Sequence, residues 1–358
     1  MKTMLDYYLS QPECMKQIFI NRKAIAGQFA KFYTEKKPDR IYLVGSGSSF
    51  NACLASEDFI SYVLGIEVVT IPPSRPTIIR GKNPLIVAVS QGGKSSNTVA
   101  YLQNIRGQGH LVASFTAGLD LPVANAADLA VDIAVGEETV GPKTRGYTGT
   151  VLCLYLSALE AGLASGVISG EDYDKHISIL DETIGYAGDN LKKCHDFYLA
   201  HLEDLKKARH YLFVGKGCAA AVGAEDAIKV LETLCYPSAG YEFEEYLHGP
   251  ACCTDEGTAL FLFYSDDADG KRMEQLAGIT AKATKNSYII DRTSSVKGDN
   301  VLSLCSGKSK FMSPFVDVFF GQLISAVLTE EMGRKRHEAV REIFSEMNTK
   351  VKVAGNAR

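Results

Sequence analysis

The sequence predicts an α/β protein made of two tandem doubly wound units, each a parallel sheet sandwiched by helices. Short, continuously apolar segments such as Leu85-Ile-Val-Ala-Val-Ser90 alternate with longer helical patterns, as strands buried on both faces of a parallel sheet do. Ile41-Tyr-Leu-Val-Gly-Ser-Gly47 has a counterpart in Tyr211-Leu-Phe-Val-Gly-Lys-Gly217. Both read as strand, Gly-x-Gly, helix, and they lie about 170 residues apart, the mark of a duplicated unit. A chain of 358 residues also has room for two domains of about 150 each.

The elements follow in order. Over residues 1–36, Met15, Ile18, Phe19, Ile25, Ala26, Phe29, Phe32 and Tyr33 recur at helical spacing. Arg40–Gly45 is a strand that runs into a Gly/Ser loop and a helix over 50–64. Strands are expected at 66–71, 85–90, 110–115 and 129–135, with a helix at 98–107. Residues 157–207 are helical with a break at Gly166–Gly170. The pattern restarts with a strand at 209–215 and a helix at 219–234. Strands at 259–264, 287–290 and 301–304, a helix at 313–332 and a charged tail complete it. The implied domains are an N-terminal helical segment 1–36, a first α/β domain 37–165, a helical connector 166–207, a second domain 208–332 and a tail 333–358.

Composition narrows the class. With 46% hydrophobic and 22% charged residues the chain can build large cores and carries no disorder signature. A formal net charge of -4 gives no reason to expect a nucleic-acid partner. Met1-Lys-Thr-Met-Leu-Asp-Tyr-Tyr does not read as a secretory leader, and no apolar run of membrane-spanning length is expected. Nine cysteines, at 14, 53, 153, 194, 218, 235, 252, 253 and 305, stand mostly among apolar neighbours without a C-x-x-C. They read as reduced, buried thiols of a cytoplasmic protein, with no structural metal.

Two loops stand where a doubly wound sheet binds ligands, past the carboxyl ends of strands. Gly45-Ser-Gly-Ser-Ser49 and Ser90-Gln-Gly-Gly-Lys-Ser-Ser96 combine glycines, hydroxyls and a following helix, which suits a sugar phosphate. Tight turns with no ligand are the competing account. Gly93-Lys94-Ser95 fails as a P-loop because Ala88 stands at its first glycine. Gly215-x-Gly217-x-x-Ala220 fits a loose dinucleotide pattern, but no acid follows on a second strand. Downstream, Glu232 ends a helical segment, and His248 follows sixteen residues later in a loop pinned by Gly249 and Pro250. A carboxylate and an imidazole are what proton transfer between neighbouring sugar carbons requires. A surface Glu232 paired with Lys229, and a structural His248, are the competing accounts. If Glu232 is partly buried among Ile228, Val230, Leu231 and Leu234, its pKa rises toward a useful range.

These residues together resemble the sugar isomerase (SIS) family over about 36–358. They are most similar to the isomerase half of glucosamine-6-phosphate synthase and to the deglycases of 6-phosphofructosyl-amines such as fructoselysine 6-phosphate. Ala224–Glu232 followed by His248-Gly-Pro250 resembles the family's glutamate-rich helix and its histidine loop. The resemblance implies two tandem flavodoxin-like SIS domains and no cofactor. It makes Glu232 the acid/base between C1 and C2. His248 would open the ring or protonate the departing group, donated from the neighbouring subunit of a homodimer or larger assembly. Ser48, Ser49, Ser90, Gln91, Gly92 and Ser95 fall on the family's phosphate loops. Gly141–Thr148 matches its later substrate loop, with Lys143 where a small hydroxyl residue is usual. Asn348-Thr-Lys350-Val-Lys-Val resembles the tail that carries a Schiff-base lysine, so Lys350 is the third catalytic candidate; a solvated tail lysine is the alternative. The resemblance does not extend to a glutaminase half, so ammonia from glutamine is not expected to be made within this chain. Three functions fit: a deglycase of phosphorylated Amadori-type sugars, an amino-sugar-phosphate isomerase or deaminase, and a sugar-phosphate sensor without turnover.

Overall fold

The computed structural model describes residues 2–75, 78–333, 338–347 and 349–351. The chain separates into two compact units. The N-terminal-sheet unit takes Glu13–Thr139, Arg145–Asp174 and His337–Arg358, and the C-terminal-sheet unit takes Met1–Pro12, Val140–Thr144 and Lys175–Arg336.

In the first unit, β1 (Arg40–Val44), β2 (Glu67–Ile71), β3 (Pro84–Val89), β4 (Leu111–Thr116) and β5 (Leu129–Asp132) form one sheet in the order β2-β1-β3-β4-β5. Every pairing is parallel. All six β3 residues are buried, so this central strand is apolar along its whole length rather than alternating. On one face Tyr42, Val44, Ile86, Ala88 and Val112 pack against Val99, Leu102 and Ile105 of the helix Ser96–Gly107. The helix Arg145–Ala164 packs between Arg22–Lys36 and Ser48–Leu64, and Tyr155 stacks on Phe59 with ring centroids 3.9 Å apart. Each fully buried aliphatic side chain contributes about 1.5–3 kcal/mol to such a core.

The second unit repeats this wiring. Its strands are β6 (His210–Gly215), β7 (Ser238–Glu242), β8 (Thr258–Phe263), β9 (Ser287–Asp291) and β10 (Val301–Ser303). Their order β10-β9-β8-β6-β7, read from the other edge, matches the first sheet strand for strand, and all pairings are again parallel. The tandem α/β expectation holds. Phe213, Phe261 and Tyr288 stack across one face, and Leu212, Val214, Leu260, Leu262 and Ile289 fill the other. The short helix Met4–Leu9 joins this unit through Tyr8, edge-on to Phe319 at 6.4 Å.

Several sequence expectations change. Residues 238–242 form a strand, and the helix expected from 157 starts at Arg145. Two helical stretches, Arg145–Ala164 and Lys310–Glu331, do reach the length and apolarity of a membrane span. However, 83% and 94% of their apolar windows lie inside the fold, because they are core helices. The cysteines divide: Cys53, Cys153, Cys194 and Cys218 are buried, whereas Cys235, in a loop, and Cys252 and Cys253, in the 3-10 helix Pro250–Cys253, are exposed.

Candidate functional site

A sheet ordered 2-1-3-4-5 changes winding direction between its first and third strands, and the ligand crevice lies past their carboxyl ends. In the N-terminal-sheet unit Val44 of β1 pairs with Ala88 of β3, so the two Gly/Ser loops leave the sheet side by side. Gly45 is buried, and a Cβ there would stand 2.8 Å from the Phe50 nitrogen and the Ser49 carbonyl. The chain can double back this tightly only without a side chain. Gly47 follows at φ 59°, in the left-handed region, and Ser48 and Ser49 open the helix Ser48–Leu64.

The second loop is tied to the first. The Gln91 N–H donates to Ser49 Oγ at 3.4 Å, and Asn97 Nδ2 donates to Ser46 Oγ at 3.0 Å. Ser90 and Gln91 are buried and Gly92 is exposed at the turn. Ser95 caps the helix Ser96–Gly107 and forms an antiparallel bridge with Lys350. Around that bridge the Ser96 N–H donates to the Thr349 carbonyl at 3.1 Å, and the Val351 N–H donates to the Lys94 carbonyl at 2.8 Å. The backbone at Lys350 is therefore docked on the loop rather than free in solvent. Asn348, Lys352 and Val353 of the same tail motif lie outside the described residues.

The C-terminal-sheet unit holds the other candidates. Gly217 repeats the Gly47 turn, with φ 58°, and starts the helix Cys218–Thr233. Lys216 in that loop is ion-paired with Asp267 and Asp269. One face of the helix carries Glu225, Lys229 and Glu232, spaced i, i+4, i+7. The Lys229 side chain is 1% exposed, and its Nζ lies 3.4 Å from Glu225 Oε1 and 2.7 Å from Glu232 Oε2. Burial alone would lower the Lys229 pKa, but the two carboxylates outweigh it and the net shift is upward, so the ammonium stays charged at neutral pH. The Glu232 side chain is 39% exposed. The condition of a partly buried Glu232 is therefore not met: the last turn of the helix points it toward solvent and pairs it with Lys229, as in the competing account, except that Lys229 is the buried member of the pair.

Beside this row Asp226 is fully buried, with neither carboxyl oxygen hydrogen-bonded. It packs against Gly321, where a Cβ would come within 2.2 Å of its Cγ. Burial first, then the charges of Glu225 and Asp317, push its pKa well above the usual carboxylate range. Asp317 is raised too, chiefly by burial, although Arg292 at 2.8 Å and Ser313 at 2.5 Å oppose the shift.

His248 caps the short helix Phe243–Leu247, whose first turn is held by Glu242 Oε2 accepting from the N–H groups of Glu244 and Glu245 at 2.7 and 3.2 Å. The imidazole is exposed beside exposed Leu247 and Gly249. Lys143 is partly exposed, and its ammonium donates to the Val140 carbonyl at 2.8 Å. Among the described residues no group of three or more His, Cys, Asp or Glu could hold a metal ion. Sequence reasoning missed Glu225, and treated Lys229 only as a surface partner. The 4-and-3 spacing around Lys229 was the available signal, but surface ion pairs share it.

Comparison with known proteins agrees with this geometry. Residues 35–160 match the SIS domain model. Glutamine–fructose-6-phosphate aminotransferase (isomerizing) of Bacillus spizizenii is 24% identical over 333 residues, covering 90% of this chain and 53% of the relative. The chain thus spans about half the length of the curated relatives it matches. Among solved structures, a candidate phosphosugar isomerase from Clostridium difficile 630 superposes with a TM-score of 0.87 at 25% identity, covering 96% of this chain and 98% of the other. The C-terminal domain of glucosamine-fructose-6-phosphate aminotransferase from Francisella tularensis gives 0.82 at 20% identity, covering 93% and 97%. Residues 35–160 thus carry a matched SIS domain, the second sheet is wired like the first, and the fold is shared over most of its length with these structures, so the chain is similar to SIS-domain proteins.

Proposed function

We propose that this chain is a deglycase that cleaves 6-phosphofructosyl-amines to glucose 6-phosphate and free amine. The observation that carries an enzymatic reading is the Glu225–Lys229–Glu232 row. A lysine 1% exposed between two carboxylates is a costly arrangement of the kind that concentrates at catalytic sites, which supports an enzyme over a binding protein without turnover. In this reading the Gly45–Ser49 and Ser90–Ser96 loops bind the phosphate through Ser48, Ser49, Ser90, Gln91, Gly92 and Ser95. Lys143 and Lys350 act as further substrate-binding and catalytic cations.

Glu232 takes a proton from C1 of the ketosamine and returns one to C2, turning an enaminol into an aldimine. Water then hydrolyses the aldimine to the aldose and the amine. Lys229, hydrogen-bonded to Glu232 at 2.7 Å, fixes the carboxylate's pose. His248 opens the ring or protonates the departing amine. Its exposure, alongside exposed Leu247, Cys252 and Cys253, supports a role in a second subunit of a cytoplasmic homodimer.

The names of the relatives favour a second reading, isomerisation or deamination of an amino-sugar phosphate. Purified protein incubated with 6-phosphofructosyl-lysine, 6-phosphofructosyl-asparagine, fructose 6-phosphate plus ammonia, and glucosamine 6-phosphate separates the two. Glucose 6-phosphate from the fructosyl-amines alone is the expected result. Turnover of the amino sugar instead selects the second reading, and binding without turnover a sensor. Glu232→Gln is expected to lower kcat by about 10²–10⁴-fold. Mixing Glu232→Gln with His248→Ala under subunit exchange should restore about a quarter of wild-type activity, since one site of each mixed dimer is intact. No recovery on mixing would place His248 in its own subunit's site.

A further inference from the structure

Gln91 is held by its backbone on both sides: its N–H donates to Ser49 Oγ, and its carbonyl accepts from the Ala117 N–H at 3.1 Å. Its side chain is turned inward, with the residue 8% exposed. It ends over the backbone of Gly146, in the first turn of the helix Arg145–Ala164. A Cβ built on Gly146 would stand 2.7 Å from both Cδ and Nε2 of Gln91, and 2.7 Å from Oε2 of Glu138. The carboxamide and the carboxylate thus converge on the one point that a side chain at residue 146 would fill.

Glu138 is 5% exposed and accepts a 2.9 Å hydrogen bond from the Gly146 N–H. That N–H lies at a helix N-terminus, where a carboxylate is stabilised by the helix dipole. An ionised carboxylate only accepts hydrogen bonds, so it sorts the two ends of a neighbouring amide: the NH₂ end is attracted and the oxygen end repelled.

We infer that Glu138 and Gly146 are a positioning pair: they set the pose of Gln91, and through it the shape of the Ser90–Ser96 loop that receives the phosphate. Gly146 supplies the room and Glu138 the orientation. Neither needs to touch the substrate. The inference rests on the reading of that loop as a phosphate site.

Gly149 provides the control. It lies one turn further along the same helix, and a Cβ there would meet the core side chains Val135 and Ile18, not the loop. Titration calorimetry with fructose 6-phosphate as the probe, on wild type, Gly146→Ala, Glu138→Ala and Gly149→Ala, tests the pair. Gly146→Ala and Glu138→Ala should weaken binding by about tenfold or more, while Gly149→Ala stays within about twofold even if its melting temperature falls as far. In a turnover assay the same two variants should raise KM and leave kcat close to wild type. Binding unchanged in Gly146→Ala, or weakened equally in Gly149→Ala, while the wild type binds normally, overturns the positioning role alone. A wild type that binds no phosphosugar overturns the phosphate-loop reading and this inference with it.

Discussion

Replacing Lys229 by methionine is expected to abolish turnover and to cost about 3–5 kcal/mol of stability. The two losses have separate causes. Lys229 is a cation facing Glu225, whose side chain is 0% exposed, so its removal takes a counter-charge away from a buried carboxylate. Glu232 is 39% exposed and can turn to water, so it suffers less in stability. What Glu232 loses is the 2.7 Å hydrogen bond that fixes its pose, and the general acid–base role proposed for it depends on pose. Denaturant unfolding and kcat measured on three proteins separate the effects. The Lys229→Met protein should lose both. Adding Glu225→Gln should restore most of the stability and none of the turnover. A Lys229→Met protein as stable as the wild type would mean that Glu225 already carries a proton.

Asp226→Asn should become more favourable relative to wild type as pH rises. Asp226 is a buried acid whose pKa is raised in the folded protein by burial, by Glu225 and by Asp317. For a group shifted in this direction the native state holds a proton that the unfolded chain releases. Its contribution to stability is therefore complete below the unfolded pKa, near 3.8, and is lost as pH climbs toward the folded value. The slope over that window is about 1.4 kcal/mol per pH unit for one proton. Asparagine has nearly the same shape and no proton to lose, so the variant should escape this slope. Unfolding curves at about pH 5, 6 and 7 check it. A stability difference that is the same at each pH would show Asp226 ionised in the folded protein. Asp317 shifts in the same direction for the same first cause, so the variant should retain part of the wild-type slope.

What could be read from the sequence, and what could not, follows from locality. The central strands were legible because burial on both faces leaves an unbroken apolar run, as in Leu85–Val89. The duplicated Gly-x-Gly turns were legible because a left-handed backbone leaves glycine in the chain at that spot, and Gly47 and Gly217 adopt nearly the same angles. Ser238–Glu242 was missed for the opposite reason. It is an edge strand, half-buried throughout, and its Gly240 is set by a neighbour: a Cβ there would fall 2.3 Å from the Ala224 nitrogen. The start of Arg145–Ala164 was hidden by Gly146, Thr148, Gly149 and Thr150, a composition typical of loops. These residues hold a helix because it is buried among other elements, and nothing local encodes that. Lys229 shows the same limit within the site. The sequence displays its spacing to two glutamates, but its exposure is decided by elements far along the chain.

The attachment of the tail to the Lys94–Ser96 edge sets a timescale as well as a shape. Around the Ser95–Lys350 bridge, two backbone hydrogen bonds join segments far apart in the sequence but within the N-terminal-sheet unit, with Val351 resting against that unit's core. Each such bond is worth about 1 kcal/mol net, far less than the cooperative unfolding of a whole domain. Hydrogen exchange at the Ser96 and Val351 amides is therefore expected to run through a small local opening, faster than at the sheet behind them. The rim of the loop would then have a lifetime of its own, and a phosphate held there as proposed would share it.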